Sequence, residues 1–418
     1  MSISKPKAPT VLFVGDYNRE DYVALLKLCK GDIHFKFLHF SSGTEEKSNY
    51  YRTFGNSIYW KDYTHAHDLL LKERPAKVVF LYIDTYFQVA LNLACQELTI
   101  PTFHLEHGML ADYGIAFNPA VSYHPPVPAL QRIASMAKKI TQLYSRIKSK
   151  LFLHKTIRAL SPENAAYLKD FITTKRKTLP LAAFRSLNSR RRLAESYISF
   201  SANVFKVRQK FDALPPDQKV TFIGVPYFDH LAGVLSAETE KAILLVDQPL
   251  AEQGLFRWNK GYKQQFMQHL ITICEQQQLK LYVKPHPLQQ VKPWLAAEKK
   301  GQCILLRDDD VAAKAASIPV VLGFYSTYLM PFAAFEHTTI LTFENHPAGD
   351  FLVSRPFVDA GVAHPVYKPE DLEAALANIK ELHQAQLPNK KKFEEDWLYK
   401  FDGRSGERLR NILLAKHI

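Results

Sequence analysis

LYVKPHPLQQ, residues 281–290, runs from a short apolar segment into a lysine and then a histidine clamped between two prolines. The run KLYVK (280–284) predicts a buried strand. Pro285 ends it, because proline brings no N–H to a sheet ladder. Pro287 biases His286 away from helical backbone, and Pro285 does the same for Lys284. The chain therefore leaves the strand extended and stiff, and the imidazole loses little entropy when a ligand arrives. Polar groups held just past a strand's end are where open α/β sheets bind ligands.

The surrounding sequence repeats this rhythm. KAILLVDQP (241–249), CILLRDDD (303–310), IPVVLGF (318–324) and TTILTFEN (338–345) read as strands. YKQQFMQHLITICEQQ (262–277), STYLMPFAAFE (326–336) and PEDLEAALANIKELH (369–383) read as helices. An earlier series holds strands at TVLFVG (10–15), IHFKFLHF (33–40), KVVFLYI (77–83) and PTFHLEHG (101–108), with helices at 20–29 and 85–98. Strand–helix alternation implies an α/β fold with parallel sheets. At 418 residues the chain is long enough for two such domains. The reading places the first at 1–235 and the second at 236–395. Residues 396–418 form a terminal helix able to pack back on the first domain.

Net charge is +13, unevenly distributed. Residues 131–210 hold 19 Lys or Arg and three acids, so this helical extension of the first domain carries +16 and the rest of the chain −3. Such a run is either a solvated helical face or a surface for an anionic lipid or polymer. No recognition motif or stacking pattern accompanies it, which argues against nucleic acid. Cys29, Cys95, Cys274 and Cys303 lie apart in apolar runs, as buried thiols of a reducing compartment do. The first residues lack a signal-peptide core, and no run is long and apolar enough to span a bilayer.

The strand ends supply the candidate site. Lys284 and His286 offer a charge and a positional donor, a pair suited to phosphate. Ser326 and Thr327 open a predicted helix, where hydroxyls and free N–H groups hold anions. Either feature alone is ordinary, a proline turn or an N-cap; together, on one edge of one sheet, they favour an anion site. Gln248 and Asp310 follow two other strands and could contact a nucleoside, although Asp308 to Asp310 also read as an acidic helix start or a metal-binding pair. In the first domain Glu106, His107 and Gly108 follow a strand, placed to take a proton from a hydroxyl. There is no Walker loop, no GxGxxG after the first strand, no GxSxG elbow and no HExxH.

In this order, Glu106-His107-Gly108, His286-Pro287 and Ser326-Thr327 resemble the motifs of bacterial sialyltransferases and polysialyltransferases: acid-acid-Gly, then HP, then paired Ser/Thr. ILLVDQPL is similar to the first strand of the second domain in the lipooligosaccharide sialyltransferases. The resemblance implies a GT-B fold, two Rossmann-like domains facing a central cleft, with acceptor bound by the first and nucleotide by the second. It implies a metal-independent, inverting transfer of sialic acid or another nonulosonic acid from a CMP-sugar to a surface glycan or lipid-linked acceptor, with no cofactor. His286, Lys284, Ser326 and Thr327 would hold the phosphate, Gln248 and Asp310 the cytidine, and Glu106 or His107 would act as base. The family's second acid is a histidine here. Teichoic-acid glycerophosphotransferases also place a histidine before glycine and carry similar K-x-H-P and D-Y-S-S stretches, and capsule Kdo transferases share related motifs. A CDP-glycerol or ribitol phosphotransferase, a Kdo transferase, and a non-catalytic polysaccharide- or lipid-binding scaffold therefore stand as alternatives. A lipid-linked acceptor would give residues 131–210 a role against the anionic inner membrane, on the cytoplasmic side.

Overall fold

The computed structural model of the protein describes residues 8–17, 19–39, 48–110, 115, 143–178, 183, 185–187, 189–234 and 238–415. They form two parallel sheets. The first contains β1 (Thr10–Val14), β2 (His34–His39), β3 (Gly55–Tyr59), β4 (Lys77–Phe80), β5 (Thr102–Leu105), β6 (Ser196–Ser199) and β7 (Val220–Phe222), in the order β3-β2-β1-β4-β5-β6-β7. The second contains β8 (Ala242–Val246), β9 (Lys280–Lys284), β10 (Ile304–Leu305), β11 (Val320–Gly323), β12 (Thr339–Phe343) and β13 (His364–Val366), in the order β10-β9-β8-β11-β12-β13. Helices cover both faces, so central strands are buried on both sides and read as apolar runs. With the two sheets facing one another, this is the GT-B arrangement expected from the sequence.

The connecting helices carry their own start signals. Helix α1 (Ala66–Glu73) is followed by α2 (Tyr86–Glu97), which begins with a capping box between Thr85 and Gln88. The basic segment is only partly described; residues 131–142 lie outside the described set. Within it, α3 (Leu143–Ala159) and α4 (Pro162–Lys177) press Phe152, Leu168 and Phe171 into the apolar layer that also covers α2 and β4. The segment is not helical throughout, however. Ser196–Ser199 forms β6 and pairs with β5, and α5 (Ala202–Asp212) follows from a Ser201 cap.

The last helix, α6 (Ser405–Leu414), is fixed at both ends by the first domain. Asp229 accepts from the N–H groups of Ser405 (2.9 Å) and Gly406 (2.7 Å). Buried Lys77 donates to the carbonyls of Ile412, Leu413 and Ala415. An acid at the N-terminus and a cation at the C-terminus both satisfy the helix dipole and its orphan groups. Gly224 (φ +82°) lets the chain pass here, since a Cβ would stand 2.4 Å from Ser405 Oγ. One continuous apolar cluster runs from β1 and β2 through Phe393, Trp397 and Leu409 to β8 and β11, so the two domains share a core. The four cysteines are buried thiols. No helix among the described residues is long and apolar enough to cross a membrane.

Candidate active site

Register places the second domain's strand ends level. Lys284 pairs with Val246, Val246 with Gly323, and Gly323 with Thr342. His286 leaves β9 and Ser326 leaves β11, with β8 between them. Two inter-strand spacings put these exits about 10 Å apart, room for a phosphate between them.

The His286 loop is built on a buried hub. Asp247, 4% exposed, accepts from Trp294 Nε1 (2.7 Å), Gln248 N (2.8 Å) and Gln289 Nε2. Gln289 Oε1 in turn accepts the backbone N–H of His286 (3.0 Å). Leu288 N–H donates to His286 Nδ1 (3.1 Å). Because Nδ1 is an acceptor, the neutral ring carries its proton on Nε2. Burial, then the nearby Arg19 charge, lowers the His286 pKa to about 4. At neutral pH it is an uncharged donor, not a cation.

Lys284 meets the hydroxyl turn through Tyr328, its Nζ 5.0 Å from the ring centroid. Nζ also lies 3.0 Å from Asp308. Ser326 accepts from Tyr328 N (3.2 Å) and is 7% exposed. The helix expected over 326–336 is shorter. Pro331 cannot donate back, so Thr327–Leu329 is a 3-10 turn and the α-helix covers only Met330–Ala334. The site rests more on its side chains than on a long helix dipole.

The aspartate run is the acidic helix start among the readings the sequence allowed. It does not extend a strand: β10 ends at Leu305 and a helix starts at Asp308. Asp310 accepts from Arg307 N (3.0 Å) and Nε (3.3 Å), capping its own helix. Asp308 is the member that reaches the site, through Lys284. Gln248 stays half-buried beside Asp247.

The first domain comes directly against this edge. Thr327 Oγ1 accepts the N–H of Met109 (3.0 Å), and the Tyr325 hydroxyl donates to Leu110 O. A Cβ built on Gly108 would stand 3.6 Å from Thr327 Oγ1, ordinary contact distance, so the two loops lie side by side. The tripeptide 106–108 and the hydroxyl pair 326–327 thus meet across the cleft. The two candidate bases differ sharply. Glu106 is 1% exposed, with its oxygens 2.5 Å and 3.2 Å from Arg208 nitrogens; it is an ion-pair partner, not a free carboxylate. His107 is packed edge-on against Tyr22 (4.6 Å) and Tyr82 (5.4 Å), and its buried Nδ1 has no hydrogen-bond partner. Burial, then Arg208, lowers its pKa to about 3.

Arg19, just past β1, was not singled out from sequence. Its guanidinium lies 4.1 Å from the Tyr22 ring centroid and pairs with Asp21. It acts electrostatically on both His107 and His286, joining the two halves of the cluster. Applied to TVLFVGDYNRE, the strand-end rule would have found it. Next to the same loop, Leu110, Val207, Arg355, Lys392 and Trp397 line an interdomain cavity of about 520 Å³.

Comparison with known proteins bears on family and fold. The family model for alpha-2,8-polysialyltransferase (POLYST) matches residues 44–344. No curated protein sequence matches the chain. Among solved structures, the wall teichoic acid polymerase TagF soaked with CDPG is similar over 97% of this chain and 87% of its own, at 10% identity and a TM-score of 0.50. MurG of Acinetobacter baumannii matches over 97% of this chain and 99% of its own, at 11% identity and TM-score 0.49. The UDP-GlcNAc 2-epimerase of Methanocaldococcus jannaschii matches over the same shares at 13% and 0.48. At 10% identity the likeness to TagF speaks to fold alone. The sequence match covers most of the chain and includes all three motifs: this protein is a glycosyltransferase of the GT-B fold and belongs to the alpha-2,8-polysialyltransferase family.

Proposed function

We propose that the protein transfers a nonulosonic acid, sialic acid or a close relative, from its CMP-activated form to a glycan or lipid-linked acceptor, inverting the anomeric centre and needing no metal. The observation that carries this reading is the Met109 N–H···Thr327 Oγ1 contact, which sets a first-domain histidine against a phosphate-suited edge of the second domain. The bond from anomeric carbon to phosphate oxygen breaks, and its electron pair leaves with CMP. His286 Nε2–H, the Ser326 and Thr327 hydroxyls and Lys284 stabilise the charge that grows on that phosphate. The acceptor oxygen bonds the anomeric carbon from the opposite face, and its proton passes to His107. Glu106 is assigned a positioning role through Arg208, because both of its oxygens already accept from that guanidinium. Arg19 suits the sugar carboxylate, and Gln248 and Asp308 border the cytidine side. The cavity beside Leu110, with Trp397 as apolar wall and Arg355 and Lys392 as cations, suits the acceptor. The basic segment 131–210 would hold the enzyme peripherally on an anionic inner-membrane surface.

A CDP-polyol phosphotransferase is the second reading, favoured by the histidine rather than the acid being the unpaired group. Mass spectrometry of products formed from CMP-sialic acid, CMP-Kdo and CDP-glycerol, each with an oligosialic acceptor, separates the cases. Addition of a sialyl residue is expected. Addition of glycerol phosphate alone, or of Kdo alone, would overturn the assignment, and no turnover with any donor would leave only the scaffold reading.

A further inference from the structure

The outward face of α3 does not look like a solvated helix surface. At 100° per residue, Tyr144, Ile147 and Leu151 fall within about 60° of one another, and they are 66%, 50% and 48% exposed. Lys148, Lys155 and Arg158 share that side and are exposed. The opposite side, through Ser149, Phe152 and Thr156, is buried against the first domain, where Thr156 Oγ1 accepts the N–H of Ala66 (3.0 Å). The helix sequence LYSRIKSKLFLHKTIRA carries five cations and no acid. A tertiary helix thus shows one apolar stripe to the core and a second, framed by cations, to solvent.

We infer that α3 is an interfacial membrane anchor: Tyr144, Ile147 and Leu151 enter the headgroup–acyl boundary of a bilayer containing anionic lipid, while Lys148, Lys155 and Arg158 meet its phosphates. Amphipathic helices bind this way when exposed apolar side chains are flanked by Lys and Arg, and tyrosine is enriched at that depth. A long cationic side chain lays its apolar stem along the same stripe and keeps its charge in the headgroups. A second copy of the chain is a poorer occupant. Two such faces would bring cations against cations, with no acid in either helix to offset them. An anionic glycan would satisfy the lysines and leave the apolar stripe in water. The inference rests on the reading of segment 131–210 as a lipid-facing surface and changes its content: charge attracts, and insertion retains.

Flotation of the full-length protein with phosphatidylcholine vesicles, and with vesicles containing phosphatidylglycerol, tests this without any nucleotide, so its outcome is independent of the transfer reaction. Two variants keep the buried face intact: Tyr144→Ser/Ile147→Ser/Leu151→Ser, and Lys148→Gln/Lys155→Gln/Arg158→Gln. The unaltered protein should float with anionic vesicles and stay partly bound at about 1 M salt, where screening confines charge attraction to about 3 Å. The apolar variant should bind at low salt and lose roughly tenfold or more of the high-salt binding. The charge variant should lose roughly tenfold at low salt. Apolar-variant binding equal to that of the unaltered protein at every salt concentration would overturn insertion and leave charge attraction alone. Absence of vesicle binding by the unaltered protein, or its dimerisation in light scattering abolished by the apolar variant, would overturn both.

Discussion

Replacing Asp247 with asparagine tests whether the buried hub positions His286. The volume is unchanged, but one carboxylate oxygen becomes an amide nitrogen. Oδ2 takes Trp294 Nε1 and Gln289 Nε2, while Oδ1 takes Gln248 N. The asparagine does best with its oxygen at the Oδ2 position, which leaves its NH₂ facing the Gln248 N–H. Two hydrogen bonds then lose their charge assistance, at roughly 1 kcal/mol each, and one donor loses its partner, at about 1–3 kcal/mol. Burial penalises the ionised Asp247 and raises its pKa, so removing the charge returns about 1 kcal/mol of this cost. Lys263 is not stranded, because Glu252 lies 2.9 Å from it. A net loss of about 3 kcal/mol corresponds to a fall of roughly 6–12 °C in thermal midpoint. Gln289 also holds the His286 N–H, so a looser hub blurs the donor's aim, and kcat/KM should fall by roughly tenfold, mostly in kcat. Differential scanning fluorimetry and steady-state release of CMP measure both. A variant within about 1 °C and twofold of the parent would show that the loop is held by something other than Asp247.

Three further outcomes follow from the same geometry. His107, His286 and His346 have pKa values lowered by burial to about 3, 4 and 4, so below pH 6.5 the unfolded chain binds protons that the folded one refuses; stability is full above that pH and falls as pH drops toward 4, by on the order of 2 kcal/mol per ring at pH 5. A thermal midpoint that stayed flat from pH 7.5 to 5 would contradict it. Thr327→Val removes the acceptor of the Met109 N–H and should cost about 1 kcal/mol of stability but more than tenfold in turnover, so equal turnover would separate Thr327 from the reaction. Arg19→Ala should raise the donor KM by roughly tenfold with less effect on kcat; an unchanged donor KM would remove Arg19 from the donor's grip.

The parts visible in the sequence share one physical signal. β1, β4, β8, β9, β11 and β12 are buried on both faces and read as uninterrupted apolar runs, so the polar residues that follow them stood out. The strands that the sequence did not mark, β3, β6, β7 and β13, carry no such signal. Gly55–Tyr59 opens with Gly-Asn-Ser and has no fully buried residue. Ser196–Ser199 is four residues inside a strongly basic segment, and Val220–Phe222 and His364–Val366 are three residues each. Their strand state comes from a neighbour already in place, which a local pattern cannot express. The site divides similarly. His286, Ser326 and Thr327 follow long strands and were legible. The pairing of Glu106 with Arg208 joins residues 102 positions apart, and the turn at Thr327 depends on a proline four residues on. The ion pair of Glu106 and the helix cap of Asp310 are contacts of the fold, not features of composition.

The electrostatics of the cleft also bear on why a histidine of such low proton affinity could serve as base. His107 sits in a buried aromatic setting, with Arg208 and Arg19 both opposing its protonation. The Leu105 carbonyl and Asp21 favour a proton on the ring but are outweighed. Under the proposed reaction the donor brings a phosphate and a carboxylate into the same space. Each is an anion facing Arg19, Lys284 or the hydroxyl turn. Their charge offsets the cations that depress His107, and opposite charge a few ångströms away raises an imidazole's proton affinity. The base therefore becomes competent when the donor is seated and idles when it is not. The ion pair with Arg208 engages both oxygens of Glu106, and β5 itself carries no carboxylate, which strengthens the dependence. Burial that looks unfavourable for catalysis in the free protein thereby ties deprotonation of the acceptor to the presence of the sugar it is to receive.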